Sequence, residues 1–106
     1  MKESQLITKI KVHLKNKYGI VCFKHYAHPA FSEKGVADII GCIPPSGRMI
    51  CLEVKIPPNK PTPLQYAWLQ RYVDAGAIAW WVCSIVDVDN LMKKVIHRGL
   101  LDTIIV

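Results

Sequence analysis

Val36-Ala37-Asp38-Ile39-Ile40-Gly41-Cys42-Ile43, a turn at Pro44-Pro45-Ser46-Gly47, and Arg48-Met49-Ile50-Cys51-Leu52-Glu53-Val54-Lys55-Ile56 form the stretch on which the fold turns. Two apolar, β-prone runs flank a proline- and glycine-containing turn, which is a hairpin signal. Apart from Arg48 at the turn, the charged residues of the stretch are Asp38, Glu53 and Lys55. Strand side chains alternate, so Glu53 and Lys55 point to one face. If the hairpin closes around Ser46-Gly47, Asp38 lies opposite Lys55 and Glu53 is its diagonal neighbour, about 7–8 Å away between Cα atoms. Any loop that keeps the same parity leaves all three on one face.

Outward from the hairpin the elements are plain. Lys2 to Tyr18 carries Leu6, Ile7, Ile10, Leu14 and Tyr18 at helical spacing, with Gly19 placed to end the helix. Ile20 to Tyr26 reads as a strand and Ala27 to Lys34 as a loop. After Ile56, Pro57, Pro58, Pro61 and Pro63 exclude a continuing strand. Thr62-Pro63-Leu64-Gln65 is a helix start: threonine N-cap, proline at the first position, glutamine at the third. That helix runs to about Ala75 and stops at Gly76. The continuous apolar run Ala77 to Cys83 predicts a strand buried on both faces. Asp87 can cap a last helix through about His97, and Thr103 to Val106 can add an edge strand. The expected fold is a single α/β domain over residues 1–106, α-β-β-β-α-β-α, with a central mixed sheet flanked by helices.

Composition narrows the function classes. Half of the 106 residues are hydrophobic and about a fifth are charged, an ordinary globular balance. Ala75 to Val82, broken only by Gly76, is too short to span a bilayer, and Met1-Lys2-Glu3-Ser4-Gln5 lacks the apolar core of a signal peptide. A cytoplasmic location, in a bacterial or phage-infected cell, is the expectation. Cys22, Cys42, Cys51 and Cys83 sit in apolar runs with no Cys-x-x-Cys spacing, so they read as free thiols in the core. The net charge of +6, gathered in Lys2, Lys9, Lys11, Lys15, Lys17, Lys24 and Lys34, favours a polyanionic partner.

Two carboxylates converging on one face can share a divalent cation, and a lysine beside them can position a water or offset charge developing on a phosphate. The plain alternative is a surface salt bridge between Asp38 and Lys55. The apolar flanks weigh against it, because isolated buried charges are costly unless paired or metal-bound. Gln65 can join such a site from the first turn of its helix, or serve only as the capping-box partner of Thr62. Glu3 falls on the inward stripe of the first helix, where it can reach the site or simply favour the helix N-terminus. His25 and His28 lack a third ligand at zinc spacing. His25 and His28, with Lys24, Tyr26 and Lys34, instead suit DNA contacts beside Asp38. Trp68 and Tyr72, four residues apart on a helix, suit core packing.

Gly35-Val36-Ala37-Asp38, then Glu53-Val54-Lys55, then Pro63-Leu64-Gln65 with Gly76 following, resembles the VRR-NUC domain, the virus-type replication-repair nuclease branch of the PD-(D/E)xK superfamily. The resemblance runs from Glu3 to about Asp87 and implies a restriction-endonuclease-like core. It implies that Asp38, Glu53 and the Val54 carbonyl hold Mg²⁺ or Mn²⁺, that Lys55 serves the nucleophile, and that Gln65 and Glu3 complete the site. One departure is Ala37, where this pattern usually has proline. Stand-alone domains of this kind look like structure-specific endonucleases acting as homodimers on branched DNA such as four-way (Holliday) junctions or flaps. Trp80-Trp81 and Leu100 to Val106 are apolar enough to meet a partner or to pack in the core. Two other readings are a non-catalytic DNA-binding module and a sequence-specific restriction-type nuclease. Paired carboxylates would weaken binding to a polyanion without a cation, and a chain this short shows no separate recognition domain.

Overall fold

A computed structural model describes the backbone of residues 1–105 and the side chains of residues 1–96. The order is α1 (Glu3–Tyr18), β1 (Val21–Lys24), β2 (Ile39–Ile43), β3 (Arg48–Val54), α2 (Pro63–Asp74), β4 (Ile78–Val82) and α3 (Ile85–Ile105). This is the α/β order expected from the sequence. The four strands form one sheet in the order β1-β2-β3-β4, with β1, β2 and β3 antiparallel and β4 parallel to β3. The proline-bounded α2 makes the crossover that a parallel neighbour requires.

Alternation along β3 divides the molecule into two cores. Ile50, Leu52 and Val54 pack with Leu6, Ile7, Ile10 and Leu14 of α1 and with Val88 and Met92 of α3. Cys51 turns the other way, into a second cluster with Ala37, Ala79, and Trp68 and Leu69 of α2. Trp68 stacks on Tyr72 at 4.0 Å, as their helical spacing suggests. Each fully buried aliphatic side chain stabilises the fold by roughly 1.5–3 kcal/mol relative to exposure. Of the cysteines, Cys51 is buried, Cys22 and Cys83 are half-buried and Cys42 is exposed; all four are free. Cys42 therefore lies outside the core expected for it, because it faces out from β2.

Four sequence expectations shift. The hairpin turn spans Pro44 to Gly47, closed by the Gly47 N–H donating to the Ile43 carbonyl at 2.9 Å. Ile39 then pairs with Leu52 and Ile43 with Arg48, a register two residues from that of a turn centred on Ser46-Gly47. The parity survives, and Asp38 falls level with Glu53 rather than Lys55. Second, β3 is covered on both faces, Ile50 to Val54 all being buried, whereas β4 is an edge strand and leaves Trp80 50 % exposed. Third, Ser84 precedes α3 and accepts the Asp87 N–H, while the Asp87 carboxylate accepts the Cys83 N–H. Asp87 is therefore the reciprocal member of the cap rather than the cap itself. Fourth, α3 continues to Ile105, so Thr103 to Ile105 are helical and not an edge strand; Val106 lies outside the described residues. No helix among the described residues is long and apolar enough to cross a membrane.

The two helices on the first face are joined by Asp89 of α3, which accepts from Tyr18 Oη at 2.6 Å, meets His13 Nε2 at 2.7 Å and lies 3.3 Å from Lys17 Nζ. Hydrogen bonding by His13 and Tyr18 holds its carboxyl well below the ordinary 3.8. A depressed carboxyl stabilises the fold above its unfolded pKa, and that contribution fades as pH falls below it. Asp89→Asn is therefore expected to lower the melting temperature at pH 7, with the gap to wild type narrowing below about pH 4. An equal gap at both pH values, followed by circular dichroism, would count against this link.

Candidate active site

The carboxylates of interest meet at one end of the sheet. Asp38 immediately precedes β2, Glu53 is the penultimate residue of β3, and Glu3 opens α1. Glu53 shares its strand face with Cys51 and so belongs to the α2 side, whereas α1 covers the opposite side. Only where the sheet ends can side chains from both helical layers reach one point. Glu3, Asp38 and Glu53 each offer a carboxylate oxygen there, and these oxygens lie within 4.8 Å of one another.

Asp38 is held by backbone on two sides. Its Oδ2 accepts the Val54 N–H at 2.8 Å, and its carbonyl accepts the His25 N–H at 2.7 Å. The first bond is the useful one, because it aims the carboxylate along β3 toward Glu53. Glu53 is 2 % exposed. Its Oε1 accepts from Gln65 Nε2 at 3.3 Å and lies 3.7 Å from Lys55 Nζ. Its Oε2 is buried without a hydrogen-bond partner among the described residues. Burial first, and then the neighbouring Asp38 carboxyl, raise the Glu53 pKa from 4.5 to about 9, with Lys55 acting in the opposite sense.

Gln65 fills both of the roles open to it. Its backbone N–H donates to Thr62 Oγ1 and its Oε1 accepts the Thr62 N–H, completing the capping box, while the same amide donates Nε2 to Glu53. A planar amide has an acceptor end and a donor end, so one end caps the helix and the other touches the site. Lys55 follows β3, its N–H donating to the Val82 carbonyl at 3.0 Å and its side chain largely buried. Thus the structure brings together Glu3, Asp38, Glu53, Lys55 and Gln65. Val54 contributes its N–H to Asp38; its carbonyl as a metal ligand rests on the family resemblance.

Gly35 has a physical reason that spacing did not disclose. Its φ is +83°, and a Cβ there would meet the Leu64 carbonyl oxygen at 2.6 Å. The chain entering Asp38 thus lies directly on the first turn of α2, which sets Gln65 beside the carboxylates. Ala37, where the family pattern usually has proline, is fully buried against α2.

Of the other expected contacts, Lys24, His28 and Lys34 line a cleft of about 400 Å³ beside the cluster, together with Asp38 and Gln65, whereas Tyr26 lies outside its walls. Tyr26 stands exposed with Lys24 Nζ 4.4 Å from its ring centroid. His25 also lines this cleft, and its buried Nε2 has no hydrogen-bond partner among the described residues.

Comparison with solved structures finds one described as a VRR_NUC domain, at 26% identity and a TM-score of 0.68, covering 86% of this chain and 94% of that one. The protein therefore has a VRR-NUC-like fold, in agreement with the resemblance carried by its motifs. No protein-family model matches the chain, and a search of curated proteins finds no match.

Two outcomes follow. Gly35→Ala is expected to cost about 1–3 kcal/mol or more, from positive φ plus a backbone clash, and to weaken divalent-cation binding by displacing α2. Unchanged melting and calorimetric Mg²⁺ binding would count against the role given to this contact. Glu53 has a folded pKa above its unfolded value, so its contribution is complete below about pH 4.5 and lost as pH rises toward about 9. Without divalent cations, Glu53→Gln should therefore gain stability relative to wild type as pH rises through that window. A difference independent of pH would contradict the burial argument.

Proposed function

We propose that this chain is a divalent-metal-dependent endodeoxyribonuclease that hydrolyses phosphodiester bonds in branched DNA as a homodimer, in the cytoplasm of a bacterial or phage-infected cell. The observation that carries the reading is the cluster of Glu3, Asp38 and Glu53, with Lys55 beside it, at the sheet end of a VRR-NUC-like fold. Three hard oxygen donors within 4.8 Å suit Mg²⁺ or Mn²⁺. The unpartnered Glu53 Oε2 supports the same fit, because leaving a buried acceptor unsatisfied costs about 1–3 kcal/mol.

Asp38, Glu53 and the Val54 carbonyl would hold the cation, with Glu3 completing the acidic cluster, and the bound cation would supply charge neutralisation at the phosphate and a more acidic water. The protein's own groups do the rest. Asp38 is aimed by the Val54 N–H, and Glu53 is steadied by Gln65. The Lys55 ammonium orients the attacking water and offsets charge on the phosphate oxygens. Attack of water on phosphorus breaks one P–O ester bond and leaves a phosphate monoester and a sugar hydroxyl. Lys24, Tyr26, His28 and Lys34 hold the DNA in the adjoining cleft. A homodimer gives two such sites related by a twofold axis, suited to paired cuts on opposing strands. Trp80, half exposed at the edge of the sheet, supplies apolar surface for it.

The test uses labelled linear, flapped and four-way DNA with Mg²⁺ or Mn²⁺. Wild type should cut the branched substrates, Asp38→Ala should abolish cutting, and Lys55→Ala should slow it roughly 10²–10³-fold, the usual loss for a group that stabilises developing charge. Substrates left equally intact by wild type and Asp38→Ala would end the nuclease reading. Equal cutting of linear and branched DNA would end the branch preference alone, and a monomer by sedimentation would end the dimer.

A further inference from the structure

The loop between β1 and β2 carries features that the metal chemistry does not use. Tyr26 is 78 % exposed and Phe31 86 % exposed, an unusual pair of bare rings within six residues of each other. Neither is isolated. Lys24 Nζ lies 4.4 Å from the Tyr26 ring centroid, and the His28 ring stacks on Phe31 at 4.8 Å with 29° between the planes.

The loop is also built. His28 Nδ1 accepts the Ala30 N–H at 3.1 Å, its N–H donates to Ser32 Oγ at 2.5 Å, and its carbonyl accepts from Phe31 and Ser32. With Nδ1 accepting, the neutral ring carries its proton on Nε2, where it is a donor. Glu33 pairs with Arg71 of α2, and Gly35 seats the loop's end on the same helix. Rings held in advance lose little conformational entropy on binding.

The cleft under this loop shares Asp38 and Gln65 with the acidic cluster, so the two sites are continuous. Its remaining charged walls are Lys24, Lys34 and Glu33, and Glu33 is already engaged by Arg71 of α2, which leaves the two lysines and His28 facing a ligand. A volume of about 400 Å³ suits one small ligand rather than a paired duplex. Cations beside exposed aromatic rings suit a phosphate with an unstacked base attached, because a base inside a helix offers only its edge.

We propose that this cleft is a subsite for one unpaired nucleotide of the DNA substrate, flanking the scissile phosphate. The phosphate is held in the cleft by Lys24, Lys34 and His28 Nε2–H, and the attached base reaches out of it to stack on Tyr26 or Phe31, which stand exposed on the same loop outside the cleft walls. The inference rests on the nuclease reading and adds the local structure of the substrate: a strand that is unpaired at the point where it enters the site.

Binding tests it without cleavage. The full chain is titrated, in the absence of divalent cations, with fully paired DNA, with the same duplex bearing a short single-stranded tail, and with a version whose tail is RNA. A 2-aminopurine in the tail reports stacking. Tailed DNA should bind more tightly than paired DNA and its probe should be quenched. Tyr26→Ala combined with Phe31→Ala should lose roughly tenfold or more of the affinity for tailed DNA and release the quench. Tyr26→Phe and Phe31→Trp should keep both, which separates stacking from a folding defect. Equal affinity of wild type for paired and tailed DNA, or an unchanged double variant, overturns the subsite even if Mg²⁺-dependent cutting is present. Tighter binding of the RNA tail overturns the assignment to DNA. Absence of cutting with the stacking signal intact strikes the nuclease reading instead.

Discussion

Glu53 sits in β3, which is covered on both faces from Ile50 to Val54, and its surroundings have to answer for a carboxylate removed from water. Desolvating such a group disfavours its charged form, and two further carboxylates nearby increase the penalty. Gln65 and Lys55 offset part of it through Oε1, but Oε2 has no partner among the described residues. A sequence selected for stability alone would place an apolar side chain there, as at Leu52 and Val54. A buried carboxylate with one unsatisfied oxygen, set against two half-buried ones, is therefore a costly arrangement, and such groups collect at functional sites.

The rest of the fold serves to bring the neighbours of Glu53 to it. The sheet register sets Asp38 level with Glu53, and the Val54 N–H fixes its aim. The crossover to β4 needs α2, and α2 begins where β3 has just ended, so its first turn presents Gln65. Because the two helical layers converge at the sheet end, Glu3 arrives from the opposite face. The loop from β1 to β2 closes the remaining side, resting on α2 through Gly35 and Glu33. One end of the sheet thus gathers the acidic cluster, the lysine and the basic cleft.

Local patterns in the chain made much of this legible. Alternation in the hairpin put Asp38, Glu53 and Lys55 on one face, and that survived a two-residue change of register because parity alone decides the face. The threonine-proline-glutamine start of α2 and the glycine end of α1 were local signals with local causes. Where local cues misled, long-range packing had decided. The apolar run of β4 resembles a central strand, yet β4 pairs with β3 on one side only, leaving Trp80 at the edge. The end of α3 is rich in β-branched residues and still continues the helix through Ile105.

The hairpin stretch from Val36 to Ile56 determined by itself that two strands pair and that Asp38, Glu53 and Lys55 share a face, though not their register; together with Gly35, Pro63-Leu64-Gln65 and Gly76 it carried the likeness to a VRR-NUC fold. Those follow from side-chain periodicity and turn chemistry, which act over a few residues. Tertiary structure alone decided that Glu3 meets the other two acids, that one amide of Gln65 serves cap and site together, and that Asp89 ties α1 to α3. It also decided that the basic loop forms a cleft continuous with the cluster. Each of these joins residues that are distant in sequence, and only the packing of two helical layers on one sheet sets the distances between them.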